Sequence, residues 1–342
     1  MGETALTNQL GIHCLVWAGG TSQAEVERAV KQTAAAGYDL LEFSLHDMDN
    51  LDVDSTRGLL QDAGLRVSCS RGLAFDADVS STDPVVVGRG AQLLQASLAT
   101  AAALGARVFT GAPYSALGKY PGPPTAEGRA NAISVVKSLA QEAHGLGIGI
   151  GLEVINRYET NVINTAADAL RFADAVAEDN VFIHLDTYHM NIEEDDMVRP
   201  VHLVGERLGY VHVSENHRGY LGSGHIDFTS FFHALADVGF EGPVTYESFS
   251  STVVAEELSN NLCSLVPKRD RLAYSVFMEF DAQGQRTSAR VAKSVIKSVQ
   301  RNTYRIVQEL LDGKDTEETR EIAFLADDLK HFQRWTKLQQ KL

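Results

Sequence analysis

The sequence has few cysteines, no long apolar run and no low-complexity tract. Its cysteines, Cys14, Cys69 and Cys263, are odd in number, far apart and without CxxC spacing. This pattern argues against a disulfide framework and against a structural zinc site, so we expect buried thiols. No run approaches the roughly 18 apolar residues of a membrane span. The start, MGETALTNQL, lacks the basic end and apolar centre of an export signal. We therefore expect a cytoplasmic protein that does not interact with membranes.

Positive charge is scarce over most of the chain. The 342 residues carry 30 Lys+Arg and 45 Asp+Glu, a net charge of −15. Residues 1–263 hold 15 basic and 34 acidic side chains (15 − 34 = −19), whereas residues 264–342 hold 15 and 11 (+4). The acidic excess argues against a nucleic-acid partner. The change in composition indicates two domains, 1–260 and 261–342.

The first domain alternates short apolar runs with longer amphipathic segments. This alternation predicts an α/β fold, a parallel (β/α)8 barrel. The eight predicted strands are Gly11 to Trp17, Leu40 to Ser44, Arg66 to Arg71, Val108 to Thr110, Gly149 to Val154, Val181 to Asp186, Tyr210 to Val213 and Pro243 to Glu247. Helices are predicted between them, for example from Ser22 to Ala36 and from Thr165 to Val176, where Asn164 or Thr165 can cap the helix.

Four residues with metal-binding side chains lie at the downstream ends of predicted strands: Glu153, Asp186, His212 and Glu247. Their spacings of 33, 26 and 35 residues are close to the roughly 30 residues of one strand-plus-helix unit. Side chains at the carboxyl ends of barrel strands point into one pocket, so we expect three carboxylates and one imidazole to converge. Because three carboxylates repel one another, a divalent cation is the simplest compensation, and an oxygen-rich set suits Mn²⁺, Mg²⁺ or Co²⁺.

Around these residues the sequence resembles the D-tagatose 3-epimerase and D-psicose (allulose) 3-epimerase family. The resemblance is carried by GLEVINRYETNVINTAADAL, HLDTYHMNIEEDD, HVSENHRGYLGSGHIDF and YESFSS, and it covers residues of about 10 to 260. It implies a xylose-isomerase-like TIM barrel in which Glu153, Asp186, His212 and Glu247 bind one catalytic metal ion, usually Mn²⁺. It also implies a dimer or tetramer.

The resemblance further places Glu159, His189 and Arg218 at substrate-contact positions. Epimerisation of a ketose at carbon 3 removes a proton next to a carbonyl and returns one to the opposite face of an enediolate, so it needs two bases. Glu153 and Glu247 are the predicted bases. His189 and Arg218 are the predicted donors to the oxygens at carbons 1 and 2.

Two further residues have more open roles. Glu159 can orient His189 or a substrate hydroxyl. Trp17, at the end of the first predicted strand, can form an apolar wall against the sugar or belong to the core.

After Cys263 the resemblance changes. The segment SLVPKRDRLAYSVFMEFDAQGQRTSARVAKSVIKSVQRNTYRIVQELLDGK resembles part of the catalytic domain of the ribonuclease II and ribonuclease R family. That family's metal-binding aspartates and its arginine motif have no counterpart here, so we expect no nuclease activity. The pattern predicts a strand from Leu272 to Asp281 and helices from Ala289 to Leu311 and Thr316 to Leu338. This foreign, mainly helical tail is expected to replace the last covering helix of the barrel.

The sequence leaves several functions open. Ketose 3-epimerisation is the leading hypothesis. Another enzyme of the same barrel superfamily, such as a hydroxypyruvate isomerase or an inosose dehydratase, can share the metal set. An RNA-binding module based on the basic tail and a non-functional fusion are the remaining alternatives.

Overall fold

A computed structural model of the chain describes residues 8–249, 270–281, 285–300, 302 and 304–339. The chain divides into two compact units, Met1–Val253 and Val254–Leu342, which we describe separately. The predicted boundary at residue 260 and the predicted loss of the covering helix concern residues 250–269, which lie outside the described residues. Both stay predictions.

The first unit is a closed barrel of eight parallel strands. Each strand pairs with the next one in the sequence, and the eighth pairs with the first. The strands are β1 (Leu10–His13), β2 (Leu40–Ser44), β3 (Arg66–Leu73), β4 (Val108–Ala116), β5 (Gly149–Glu153), β6 (Val181–Asp186), β7 (Leu208–Val213) and β8 (Val244–Tyr246). The predicted α/β barrel is confirmed.

The ends of β1 and β4 differ most from the prediction. Residues Cys14–Val16 form a 3-10 helix rather than the end of β1. Strand β4 continues to Ala116, so the start of the glycine-rich and proline-rich segment is strand. Gly111 has φ +95° and lies where a Cβ atom would contact the backbone of Arg71. The pairing of β3 with β4 is irregular after this point and resumes between Leu73 and Ala116. Glycine thus permits the close approach that extends β4.

Helices follow the strands and form the outer layer of the barrel. They are α1 (Gln23–Ala35), α2 (Val53–Asp62), α3 (Pro84–Leu104), α4 (Ala126–Gly145), α5 (Ala166–Val176), α6 (Thr187–Glu193), α7 (Arg199–Val204) and α8 (Phe228–Asp237). Of the two predicted caps, Asn164 and Thr165, it is Thr165 that caps α5, by accepting a hydrogen bond from the backbone N–H of Asp168. Within the described ranges, no helix has the length and apolar character needed to cross a membrane.

The core lies between the strands and the helices and inside the barrel. Phe43, Phe109 and Phe172 are fully buried there. Cys14 and Cys69 are buried and free, as expected, whereas Cys263 lies outside the described residues.

The second unit contains a β-hairpin followed by helices. Strands β9 (Asp270–Phe280) and β10 (Arg286–Lys297) are antiparallel, and α9 (Tyr304–Leu311), α10 (Glu317–Glu321) and α11 (Ala326–Gln339) follow. The predicted strand is confirmed. The predicted helix from Ala289 to Leu311 is wrong in its first half, which forms β10. Valines spaced by four residues fit a helix face, but four is also a multiple of the strand period.

The predicted helix from Thr316 to Leu338 is interrupted in the structure. Thr316 caps the short helix α10, and a 3-10 turn, Ala323–Leu325, separates it from α11.

Candidate active site

The four predicted metal ligands lie together at the carboxyl end of the barrel. Glu153 and Asp186 are the last residues of β5 and β6, His212 is the next-to-last residue of β7, and Glu247 follows β8. The parallel register places Asp186 opposite His212. All four are buried, and one possible ligand atom of each lies within 4.8 Å of the others. The structure therefore brings together the whole set.

A hydrogen bond to Glu42 orients His212. The Nε2 atom of His212 lies 2.8 Å from Oε2 of Glu42, and an ionised carboxylate only accepts, so Nε2 carries a proton. The Nδ1 atom faces Oε2 of Glu247 at 3.3 Å, Oε1 of Glu153 at 3.4 Å and Oδ2 of Asp186 at 3.8 Å. Nδ1 makes no hydrogen bond of good geometry within the described part of the chain. It is the nitrogen available to a cation.

The donor set fits a divalent cation. Three carboxylates supply hard oxygen ligands and His212 supplies one nitrogen. Ligands that bind one ion at about 2.0–2.6 Å lie no more than about 5 Å apart, in agreement with this cluster. Burial lowers the pKa of His212, but the charges of Glu42 and Glu247 outweigh it and raise this pKa well above its ordinary value. The site thus attracts positive charge.

Arg218 makes the two candidate bases electrostatically different. Its Nη1 atom donates to Oε2 of Glu247 at 2.6 Å and to Oδ2 of Asp186 at 2.7 Å. Burial raises the pKa of Glu153. Burial by itself would raise the pKa of Glu247 too. The positive charges of Arg218 and His212 outweigh this effect and hold the pKa of Glu247 well below its ordinary value. Carboxyl groups whose pKa values are pushed apart can serve as an acid and a base.

His189 lies beside the cluster and is connected to Glu159. Its Nε2 atom is 3.9 Å from Oε1 of Glu153 and 3.9 Å from Oδ2 of Asp186. On its other side, Nδ1 lies 2.7 Å from Nδ2 of Asn156, and that amide also donates to Oε1 of Glu159 at 2.8 Å. Glu159 therefore reaches His189 through Asn156, a residue that is not among the predicted site residues.

This architecture matches a known family. Residues 30–265 match the family described as xylose isomerase-like TIM barrel, and residues 250–342 match the RNB domain. The chain belongs to the xylose isomerase-like TIM barrel family. Both resemblances proposed from the sequence are confirmed.

Similar proteins of known activity indicate the enzyme class of this chain within the family. The L-ribulose 3-epimerase of Methylomonas sp. (strain DH-1) is 50% identical over 255 residues, which are 75% of this chain and 89% of the relative. The ketose 3-epimerase of Arthrobacter globiformis is 48% identical over 254 residues, 74% and 88% of the two chains. A crystal structure of D-allulose 3-epimerase from Methylomonas sp. in complex with D-allulose has a TM-score of 0.72, 50% identity, and covers 75% and 89%. The chain is therefore an isomerase of the epimerase type, as the sequence predicted.

Glu42 contacts this candidate site and is a residue that sequence reasoning missed. It lies in β2 and is fully buried, and its Oε2 atom also accepts a hydrogen bond from the hydroxyl of Tyr210 at 2.8 Å. Ser68 and Thr245 lie at hydrogen-bond distance from the same hydroxyl. The sequence does contain a sign of this role, because Glu42 is the one carboxylate in the apolar run LLEFS. A fully buried glutamate is rare unless other groups pair with it.

The loop after β7 places Arg218 in the site. Arg218 has a left-handed backbone, with φ 61°, which is uncommon outside glycine. Its backbone N–H donates to the carbonyl of Glu215, and its carbonyl accepts from the hydroxyl of Ser248. Its guanidinium lies 4.1 Å from the ring centre of Tyr188. These contacts hold the charged end in one position.

Trp17 is hydrogen-bonded to helix α1 of the outer layer. It follows the 3-10 helix after β1, is partly buried against the core, and donates from Nε1 to Oγ1 of Thr33 in α1 at 3.0 Å. A role in the pocket wall stays a prediction.

Proposed function

We propose that the chain catalyses the metal-dependent epimerisation of a free ketose at carbon 3 by two-base proton exchange. The observation that carries this proposal is the convergence of Glu153 and Glu247 on the same atom, Nδ1 of His212, at 3.4 and 3.3 Å. These carboxylates come from β5 and from the end of β8, so they approach from different sides of the barrel. They can flank a planar intermediate.

Glu153 and Glu247 act on opposite faces of carbon 3. One removes the proton and the other returns a proton to the enediolate from the other side. The opposite pKa directions of the two carboxyl groups suit this division, because one group must begin as the acid and the other as the base. Reversal of the two roles accounts for the reverse reaction.

Glu153, Asp186, His212 and Glu247 are the proposed ligands of Mn²⁺, with Mg²⁺ or Co²⁺ as alternatives. When bound, the cation supplies Lewis-acid stabilisation of the negative charge that develops on the ketose oxygens. Glu42 keeps His212 in the orientation that presents Nδ1 to this position.

His189, Arg218, Glu159 and Trp17 are the proposed substrate residues. His189 and Arg218 present nitrogen donors that are 3.2 Å apart beside the carboxylate cluster. They can hold the oxygens at carbons 1 and 2. Glu159 supports His189 through Asn156, and Trp17 supplies an apolar wall.

Names of the relatives guide the choice of substrates. Because relatives are described as L-ribulose 3-epimerase and D-psicose 3-epimerase, we expect five-carbon or six-carbon free ketoses. The test is to incubate the full chain with Mn²⁺ and D-fructose, D-psicose, D-tagatose or L-ribulose in deuterated water. We expect the carbon-3 epimer, carrying deuterium at carbon 3. Absence of every epimer, with metal content verified, contradicts the proposal.

The variants Glu153→Gln and Glu247→Gln separate the two bases. Each should abolish epimerisation. Where the metal stays bound, each should retain deuterium exchange into only one of the two epimers, because one base remains on one face. Metal content is the control, since both residues are proposed ligands. An epimerisation rate close to that of the unaltered chain in either variant contradicts two-base exchange.

The same proposal makes the chain a cytoplasmic homodimer or homotetramer that binds a small ketose and no nucleic acid. The net charge of −15 supports the last point. Light scattering of the purified chain tests the oligomer. Salt-sensitive binding of single-stranded RNA to the full chain contradicts the absence of a nucleic-acid partner.

A further inference from the structure

Asn156 has a side-chain amide whose orientation is fixed by its neighbours. It is 1% exposed. Its Oδ1 atom accepts from the backbone N–H of Tyr158 at 2.9 Å, and its Nδ2 atom donates to Oε1 of Glu159 at 2.8 Å. A backbone N–H only donates and an ionised carboxylate only accepts, so exchanging the oxygen and nitrogen of the amide would break both hydrogen bonds. The NH2 group must therefore face His189.

The Nδ1 atom of His189 receives two donors. The amide Nδ2 of Asn156 lies 2.7 Å away, and the backbone nitrogen of Asn156 lies 3.3 Å away. Two N–H groups can converge only on a lone pair, so Nδ1 carries no proton. This excludes the imidazolium form, which needs a proton on both nitrogens. The single proton of the neutral ring is then on Nε2.

The contact between His189 and Arg218 favours the opposite tautomer. Nη2 of Arg218 lies 3.2 Å from Nε2 of His189, and as a donor it also favours a lone pair there. Moving the proton to Nδ1 would satisfy this one contact but would set three N–H groups against each other, one of them at 2.7 Å. A proton on Nε2 leaves one unfavourable contact, at 3.2 Å, whereas a proton on Nδ1 leaves two, at 2.7 and 3.3 Å. The proton therefore stays on Nε2.

This arrangement leaves two donors side by side, and none of the described residues places an acceptor between them. An oxygen that bears negative charge can accept from both Nε2 of His189 and Nη2 of Arg218. The carboxylates of Glu153 and Asp186, at 3.9 Å from Nε2, are too distant to be that acceptor. The pair is thus arranged to hold an oxygen of a bound molecule.

We propose that Asn156 is a positioning residue that fixes His189 in the Nε2–H tautomer and so makes it a hydrogen-bond donor to the ketose. The identity of the acceptor, a ketose oxygen that gains negative charge in the enediolate, rests on the proposed function. The tautomer does not rest on it. Asn156 therefore acts through His189 and need not touch the substrate.

The tautomer can be measured directly. Long-range ¹H–¹⁵N correlation spectra of the full chain, labelled at histidine and loaded with diamagnetic Mg²⁺, distinguish a protonated from a non-protonated ring nitrogen. The His189 signals are those absent from a His189→Gln variant. We expect Nδ1 to be non-protonated and Nε2 to be protonated. A proton on Nδ1 of the unaltered chain overturns the proposal, whether or not the chain is an epimerase.

The variant Asn156→Asp tests the link between the tautomer and the reaction. It keeps the shape of the side chain but replaces the donor by an acceptor, so Nδ1 of His189 should become protonated. We expect kcat to fall on the order of 10²-fold, the effect of losing one well-placed donor to a developing oxyanion. We expect KM to change much less, because the donor acts mainly in the transition state.

Two controls accompany this variant. Asn50→Asp adds the same charge at an exposed asparagine whose Nδ2 atom donates to Asp47, and it should leave both the His189 spectrum and kcat unchanged. Glu159→Gln keeps an oxygen for the amide of Asn156, so the tautomer should persist. If Asn156→Asp protonates Nδ1 yet kcat and KM remain those of the unaltered chain, the positioning role is refuted while the proposed epimerase function stands.

Discussion

Nε2 of His212 lies 2.8 Å from Oε2 of Glu42, and both side chains are almost completely buried. The hydrogen bond determines which ring nitrogen of His212 is free, and the negative charge of Glu42 makes that nitrogen a stronger ligand. The hydroxyl of Tyr210 donates to the same carboxylate oxygen and so fixes its position. The geometry of the candidate metal site therefore depends on a residue of β2 that is not itself a predicted ligand.

We predict that Glu42→Gln weakens metal binding. The amide lacks the negative charge and can present an N–H group to His212, so the ring loses its defined orientation. The dissociation constant for Mn²⁺ should rise about 10- to 100-fold. Calorimetric titration of Mn²⁺ into chelator-stripped protein measures it, with Glu27→Gln on the exposed face of α1 as the matched control. An unchanged dissociation constant in Glu42→Gln contradicts the role given to Glu42.

This pair also illustrates what the sequence could and could not predict. Glu153, Asp186 and His212 were predicted together because the barrel repeat places strand ends at regular intervals. Glu42 lies 170 residues from His212 in the sequence. The two side chains meet because both point into the barrel at the same height along its axis. The spacing of the strands in the sequence does not show at which height a side chain lies.

Asn156 and β10 also depend on neighbours in space that the order of residues does not reveal. Asn156 was missed because its role depends on the direction of an amide, which only its neighbours in space determine. The helix predicted from Ala289 was wrong because β10 is stabilised by pairing with β9, and periodicity within one segment does not report such pairing.

We predict that divalent cations stabilise the folded chain. Without a cation, three carboxylates lie close together with Arg218 and His212 as the compensating charges nearby. At a Mn²⁺ concentration 100 times the dissociation constant, binding should add about 2.7 kcal/mol, or roughly 5–10 °C in Tm. Thermal melting with Mn²⁺ and with a chelator measures this shift. Asp186→Asn should reduce the shift, and equal Tm values for the unaltered chain under both conditions would argue against a metal site.

We predict that Glu215 controls activity through the loop that carries Arg218. Glu215 is fully buried, and its carboxylate accepts from the backbone N–H groups of Gly222, Ile226 and Asn216. Glu215→Gln removes the charge that these donors share, so it should lower kcat/KM and cost about 1–3 kcal/mol of stability. Enzyme assays and thermal melting measure the two effects. Glu206→Gln, at an exposed glutamate, is the control, and a normal kcat/KM in Glu215→Gln contradicts the prediction.

The same residue gives a pH dependence with a definite sign. Burial raises the pKa of Glu215, but the backbone donors outweigh it and lower the pKa below its ordinary value of 4.5. The folded state therefore binds the proton less tightly than the unfolded chain does. The stability from Glu215 is present above about pH 4.5 and is lost as the pH falls through the lowered folded-state pKa. Between about pH 5 and pH 3, Glu215→Gln should lose less stability than the unaltered chain, and an equal loss would contradict this assignment.

Two glycines in α3 should respond in opposite ways to the same substitution. Gly90 is buried where the helix crosses the turn Phe75–Ala77, and an added Cβ atom would overlap the carbonyl oxygen of Ala77. Gly88 is exposed in the same helix, and among the described residues an added Cβ atom would meet nothing within 4 Å apart from the adjoining backbone of its own helix. Gly90→Ala should destabilise the barrel by about 1–3 kcal/mol because the backbone must move.

Gly88→Ala should instead stabilise the barrel by about 0.5–1 kcal/mol, because alanine restricts the unfolded chain and favours a helix. Urea unfolding followed by circular dichroism compares both variants with the unaltered chain. Because the two substitutions are identical in chemistry and two residues apart, helix propensity alone predicts equal stabilisation. A Gly90→Ala variant as stable as Gly88→Ala would contradict the close contact between α3 and this turn.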